Sequence, residues 1–501
     1  MEENTNKTIA INSFILYFKM IINIICSILT TRYALIALGI VDFGLYSLLG
    51  GVVSFVTIFN TIMITASNRF IAVAIGKKNL EEINTQFNVN LFIQVGIVFT
   101  TLVVAYPLGN WYINNYVNYA GDLSNAIVVY DISILASVIS FLGVPYNGLL
   151  MAKEKFIIFS SADVISHIGK LIVAYTLTCY FSEKLLVYTV AMALFTVLPV
   201  LFYIVYCVKN FGQNVRLKLI KDTSKYKEVI SFSTWVSIGA ITMIGKNQGA
   251  SMLVNAFFNT IMNTAMGVAN NICVYINLFA QNVTQPMQPQ ITKSYVANDF
   301  KRTDELLLMS TKYSFLMMLF ASSPFLVRPE WLLNLWLGEA PPYSIIFLRL
   351  MIVDNLIMSL NTGISNLIFA SGKIKMYQLT TSILNLFSVL LGFIVLKMGS
   401  PAFYLIVVYI VFSGLRVVVV QYVLYKTLHY NNSLIIYKSY IPSLIITVLF
   451  VPIVLLELDI NPVLNICLSM SYLCSLILLV GLNRNEKLYI RTKVMECMKL
   501  L

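Results

Sequence analysis

Charge is the scarcest commodity in this sequence: 11% of its 501 residues are Asp, Glu, Lys or Arg, against roughly 25% in soluble domains. So little charge excludes a water-exposed globular surface. Histidine is scarcer still, with only His167 and His429, so a histidine-rich metal centre is excluded and no metal is expected. The seven cysteines form no C-x-x-C and have no spacing that pairs with histidines, which argues against zinc and redox sites and makes them candidate core residues. There is no GxxxxGK[ST] phosphate loop, no HExxH and no GxSxG. That excludes an ATP-driven pump acting alone and gives no reason to expect an enzyme, a catalytic residue or a resident cofactor. The first twenty residues contain no short apolar stretch ending in a small-residue cleavage site, so they read as an uncleaved first helix.

Apolar residues fill the space that charge leaves, at 58% of the chain. Runs near twenty residues, enough to cross roughly 30 Å of hydrocarbon as helices, recur from end to end. They do not alternate as barrel strands would. The expected class is therefore an all-α integral membrane protein with about 14 transmembrane helices. Basic residues support that count. With both termini inside, 23 of the 34 Lys and Arg fall in inner loops and tails, 4 in outer loops and 7 within spans. The net charge of +12 thus belongs mostly to one membrane face, and nucleic acid need not be invoked.

A displacement of about 220 residues lays "MAKEKF" (151–156) on "SGKIKM" (371–376), each between two long spans. Six spans per half would make parallel repeats about an axis along the membrane normal. The expected organisation is an N-lobe over 1–208, a basic cytoplasmic linker over 209–228, a C-lobe over 229–425, and helices 13 and 14 with a basic tail over 426–501. The linker and the tail "NRNEKLYIRTKVMECMKLL" could rest on the anionic inner leaflet or simply reflect the inside bias.

Ionisable groups at membrane depth cost at least about 2.5 kcal/mol each on insertion scales and so usually face a cavity or the bundle interior. Lys19, Arg69, Lys170, Lys246, Lys312, Arg349 and Arg416 are placed there, against the acids Asp131, Asp163 and Asp354. The excess of cations implies an anionic cargo. Lys19, Arg69 and Lys312 lie close enough to an inner end to snorkel instead. "SSADVISHIGKLIVAY" (160–175) spaces Asp163, His167 and Lys170 at i, i+4 and i+7, on one helical face. They form either a titratable relay for ion coupling or a structural pair neutralised through the histidine. Arg349 and Asp354 do not share a face well and should pair elsewhere; Asp354 joins Asp163 and His167 as a candidate for ion or proton coupling. Amides crowd "GKNQGASMLVN" and "NTAMGVANN", including Asn247, Gln248 and Asn270; they can grip sugar hydroxyls or bond neighbouring helices.

The stretches "LYFKM" (16–20), "ALGIVDFGLYSLLGGVVSF" (37–55), "SNRF" (67–70), "NAFF" (255–258), "NTAMGVAN" (263–270) and "PQITKSY" (289–295) resemble the O-antigen repeat-unit flippases. These are the polysaccharide-exporter branch of the multidrug/oligosaccharidyl-lipid/polysaccharide flippase superfamily. The resemblance covers most of the chain through span 12. It implies two six-helix lobes related by pseudo-two-fold symmetry around a central cationic cavity, with an extra C-terminal helix pair. It implies as cargo an oligosaccharide on undecaprenyl diphosphate, an O-antigen or related surface-polysaccharide unit. That cargo would be flipped by alternating access from the cytoplasmic to the periplasmic leaflet of a bacterial inner membrane, beside a polysaccharide polymerase and a chain-length regulator. It places Lys19 and Arg69 on basic positions of the family. The energy source would be an H+ or Na+ gradient, or the cargo gradient itself. Rival readings are a cation-coupled multidrug exporter of the same superfamily, which should want acids in its cavity, a membrane glycan polymerase or ligase, and a scaffold for the assembly machinery.

Overall fold

The computed structural model describes residues 2–116, 122–179, 183–258, 260–337, 340–456, 460–482 and 486. Among the described residues there is no strand. The chain divides into two compact units, Met1–Ser237 with Gln288–Asp299, and Ile238–Met287 with Phe300–Leu501. The tail read as an interfacial helix lies, apart from Glu486, outside the described residues.

The first unit contains α1 (Glu2–Gly76), α2 (Leu80–Thr100), α3 (Tyr106–Tyr116), α4 (Leu123–Leu142), α5 (Val144–Ala152), α6 (Phe156–Cys179), α7 (Lys184–Phe211), the start of α8 (Thr223–Phe257) and nearly all of α10 (Met287–Val296). The second contains the rest of α8, α9 (Thr260–Thr284), α11 (Phe300–Val327), α12 (Pro329–Leu337), α13 (Ser344–Ser359), α14 (Thr362–Ser371), α15 (Lys375–Lys397), α16 (Tyr404–Leu428), α17 (Ser433–Ile435), α18 (Ile441–Leu455) and α19 (Pro462–Leu476).

Eleven helices among the described residues are long and apolar enough to cross a membrane, and α13 with α14, bent by 42° at their junction, makes a twelfth. Two segments expected as spans are not in this count. The segment 44–75 follows a break at Gly39, whose φ of 74° is open to glycine at no steric cost, and falls outside the count because side chains 51–59 are not among those described. The segment 264–290 is helical as α9, yet its asparagines and threonines make it too polar to count by composition. Cysteine placement also differs: Cys26, Cys207 and Cys273 are buried, while Cys179, Cys467 and Cys474 are exposed. A helix in lipid turns its apolar side chains outward without penalty, so apolar surroundings in sequence do not imply a core position.

Polar residues do structural work inside the first unit. On α2, Asn84, Gln86, Asn88, Asn90 and Gln94 are all buried. Asn84 Nδ2 donates to the carbonyls of Gln213, Asn214 and Arg216 at 3.2, 3.0 and 2.8 Å. Asn88 donates to the Arg216 carbonyl at 2.9 Å and accepts from the Lys218 N–H at 3.1 Å. Ion pairs Lys218–Glu81 and Lys225–Glu82, at 3.1 and 2.8 Å, extend the seam. The basic linker therefore has its backbone docked on a helix. Asp222 begins α8 as Asp122 begins α4. Each carboxylate accepts from the hydroxyl and N–H of the serine two residues on, which holds it below the usual carboxylate range.

Candidate functional site

The first unit contains an open cavity of about 320 Å³, lined from α1, α4, α5, α6 and α7. Its chemistry comes from one face of α6, where the i, i+3, i+4, i+7 spacing aligns Asp163, Ser166, His167 and Lys170. Facing them are Asn60 from α1, Asn147 from α5, and Thr196, Pro199 and Tyr203 from α7. Proline inside α7 explains one of these contacts. Pro199 has no N–H to give the carbonyl of Phe195, and the Ser166 hydroxyl donates to that carbonyl instead. Gly169 lets the same two helices close up, because a Cβ there would stand 2.0 Å from the Phe195 ring.

Asp163 is fully engaged. Its carboxylate is ion-paired to Lys19 of α1 and accepts from the Tyr203 hydroxyl at 3.0 Å. The Lys19 ammonium also lies 3.8 Å from the centroid of the Phe159 ring. The ion-pair partner of Asp163 thus comes from another helix, with Lys170 within its electrostatic reach. Lys170 lines the cavity without a hydrogen bond or ion pair to any described residue, and His167 beside it is likewise unbonded. Arg69 belongs to the same unit but sits elsewhere, its guanidinium 4.5 and 4.8 Å from the Phe70 and Phe232 ring centroids.

The second unit holds a separate constellation. Lys246 on α8 is buried and reaches Asp354 of α13 at 3.3 Å. Asp354 also accepts from the Ser413 hydroxyl of α16. Tyr409 donates its hydroxyl to the Lys246 carbonyl at 3.1 Å and places its ring 4.5 Å from the ammonium. Two helical turns beyond Tyr409 on α16, Arg416 donates to the Tyr377 hydroxyl at 3.3 Å, and its buried Nε has no partner among the described residues. Arg349 and Asp354 do pair elsewhere, for exposed Arg349 donates to the Leu326 carbonyl at 3.4 Å. Asn247, Gln248 and Asn270 are exposed on the surface of their unit and form no enclosed amide cluster within it.

Two further ion pairs escaped the sequence. Lys312, which reads as a snorkelling residue, is buried and bound to Glu486 at 2.7 Å. Glu154, at a left-handed turn with φ 58°, is held by Lys293 and Gln290 from "PQITKSY". Only separation in sequence hid them, since each pairs residues more than a hundred positions apart. Among the described residues, no group of three His, Cys, Asp or Glu is placed to hold a metal ion.

A multi-pass helical membrane protein built as two units is the class these features define. No family model and no curated protein matches the sequence. Solved structures do match. A crystal structure of MATE in the straight conformation superimposes with a TM-score of 0.72 at 14% identity, covering 84% of this chain and 97% of that one. The outward-facing conformation of a multidrug resistance MATE family transporter of the MOP superfamily gives 0.68 at 14% identity, with 84% and 97% covered. A MOP superfamily transporter from Pyrococcus furiosus, described as having a binding pocket of reverse polarity that suggests a different function, gives 0.64 at 13% identity over 83% and 94%. The fold is that of the MATE transporters, with its pseudo-symmetric lobes.

Proposed function

We propose that this protein is a transporter that flips an anionic, lipid-linked oligosaccharide, an undecaprenyl-diphosphate-bound surface-polysaccharide unit, from the cytoplasmic to the outer leaflet of a bacterial inner membrane. One observation carries the reading. Lys19 and Lys170 stand near the single carboxylate of Asp163, which is ion-paired to Lys19, so this region of the first unit carries a net positive charge. A net positive charge there favours an anion, which lysine holds by charge-assisted hydrogen bonds. The fold supports a transport role, and the absence of catalytic motifs gives no reason to invoke an enzyme. Polysaccharide polymerase and chain-length regulator are the partners such a flippase would hand its cargo to. Both termini would be cytoplasmic.

The multidrug reading shares the fold but asks for an available carboxylate to bind an organic cation. The two acids at the candidate sites, Asp163 and Asp354, are each held by a lysine. Among proteins of this fold, pocket polarity is not fixed, as the Pyrococcus furiosus protein is described. Coupling to an H+ or Na+ gradient would run through the Asp163–His167 face, where an imidazole can change charge near neutral pH. Proteoliposomes loaded with fluorescent lipid-linked oligosaccharide test the proposal. Protein-dependent arrival of cargo in the opposite leaflet, with no ethidium movement, is the expected result; ethidium movement without cargo flipping would replace it with the drug-exporter reading.

A further inference from the structure

We propose that α10 is a detachable strap on the first unit, latched by the Glu154 carboxylate, and that release of this strap is a step of every transport turnover. The inference rests on the transport role and not on the identity of the cargo.

Chain order is the first argument. Residues Gln288–Asp299, which include nearly all of α10, pack with the first unit, whereas α9 before them and α11 after them belong to the second. Non-helical turns bracket α10, at Gln285–Pro286 and at Ala297–Asp299, where Asn298 has a φ of 59°. A transporter that works by moving one repeat against the other must let such a segment go, and the two turns give it hinges.

The bonds that hold α10 are the second. Gln290 and Lys293, one helical turn apart, clasp the two oxygens of the Glu154 carboxylate. Backbone contact between α10 and the other helices is sparse. Glycine lets the end of α1 approach it, since a Cβ on Gly76 would stand 3.1 Å from the Lys293 carbonyl oxygen and 3.3 Å from the Val296 Cβ. A thin, polar seam of this kind opens more readily than an apolar core.

Glu154 itself is the third. It holds a left-handed φ of 58° in the turn between α5 and α6, a position after a helix that ordinarily takes glycine. The corresponding turn of the second half, between α14 and α15, does carry glycine, Gly372 at φ 77°. A strained glutamate where glycine would relax points to a use for its side chain. Adjacent Lys153 does not occupy that side chain, for its ammonium lies 4.2 Å from the centroid of the Phe211 ring.

The test uses full-length protein in proteoliposomes, with the seven native cysteines replaced by alanine. Positions 76 and 296 are close enough for a disulfide. Gly76→Cys with Val296→Cys should therefore cross-link on oxidation, lose transport, and recover it with dithiothreitol; undiminished transport by fully cross-linked protein would overturn the strap. Transport is read on whichever cargo the wild type moves, lipid-linked oligosaccharide or ethidium, so failure of the flippase reading leaves this result intact. The latch is read without any cargo, as the rate at which a maleimide labels Val296→Cys alone. Glu154→Gln and Glu154→Gly should each raise that rate by about tenfold or more. Glu154→Gly relaxes the turn and should keep a melting temperature at or above that of wild type. Unchanged labelling in both variants would overturn the latch, and this comparison decides even where Gly76→Cys does not fold.

Discussion

Lys19 and Lys170 both reach the Asp163 region, but only Lys19 is paired there. Removing one partner of a pair in a low-dielectric setting strands the other charge, which typically costs about 3–5 kcal/mol. Asp163→Asn alone should therefore lower thermal stability in detergent markedly. Adding Lys19→Met should restore most of the loss, since no charge is then stranded. Equal melting temperatures for wild type and Asp163→Asn would show that the pair is not structural. His167 separates the two readings of this face. His167→Gln should flatten the pH dependence of flipping if the imidazole is part of an ion path, and leave the profile unchanged if it only fills space. The sequence placed Asp163, His167 and Lys170 on one face because helical spacing is local. It could not supply Lys19 as the partner of Asp163 or Lys246 as the partner of Asp354, because pairing across helices depends on packing.

At the scale of elements, α6 and α7 meet through a proline, a serine and a glycine. Gly169→Leu would drive a side chain into the Phe195 ring, and overpacking of this kind costs about 1–3 kcal/mol. The expected outcome is a lower melting temperature with loss of transport; an unchanged melting temperature would contradict the close α6–α7 contact. The linker gives a second prediction. With Asn84→Ala and Asn88→Ala together, the backbone of 213–218 loses its side-chain hydrogen bonds, and trypsin should cut at exposed Arg216 and Lys218 faster than in wild type. Equal digestion rates would mean that the α2 amides do not fasten it. The helices themselves were legible from apolar runs. Their exceptions were not: an amide-rich helix such as α9 fails a composition test while remaining helical, and the junction of α13 and α14 bends where a single span reads from the sequence.

For the whole molecule, scarce charge and recurring apolar runs were enough to give an all-helical membrane protein, and the superposition on MATE transporters agrees at an identity of 14%. Backbone plan survives such divergence because it depends on hydrophobic pattern and helix packing; cargo choice depends on a few side chains and does not follow from fold. The central claim is that Lys170, in a region where two lysines share one carboxylate, receives an anionic cargo. Its most direct measurement is the rate at which proteoliposomes carrying wild type, Lys170→Gln or Lys170→Arg move fluorescent undecaprenyl-diphosphate oligosaccharide between leaflets, at matched protein levels. The account predicts transport by wild type, a loss of about tenfold or more in Lys170→Gln and near-normal rates in Lys170→Arg; equal rates in all three would contradict it.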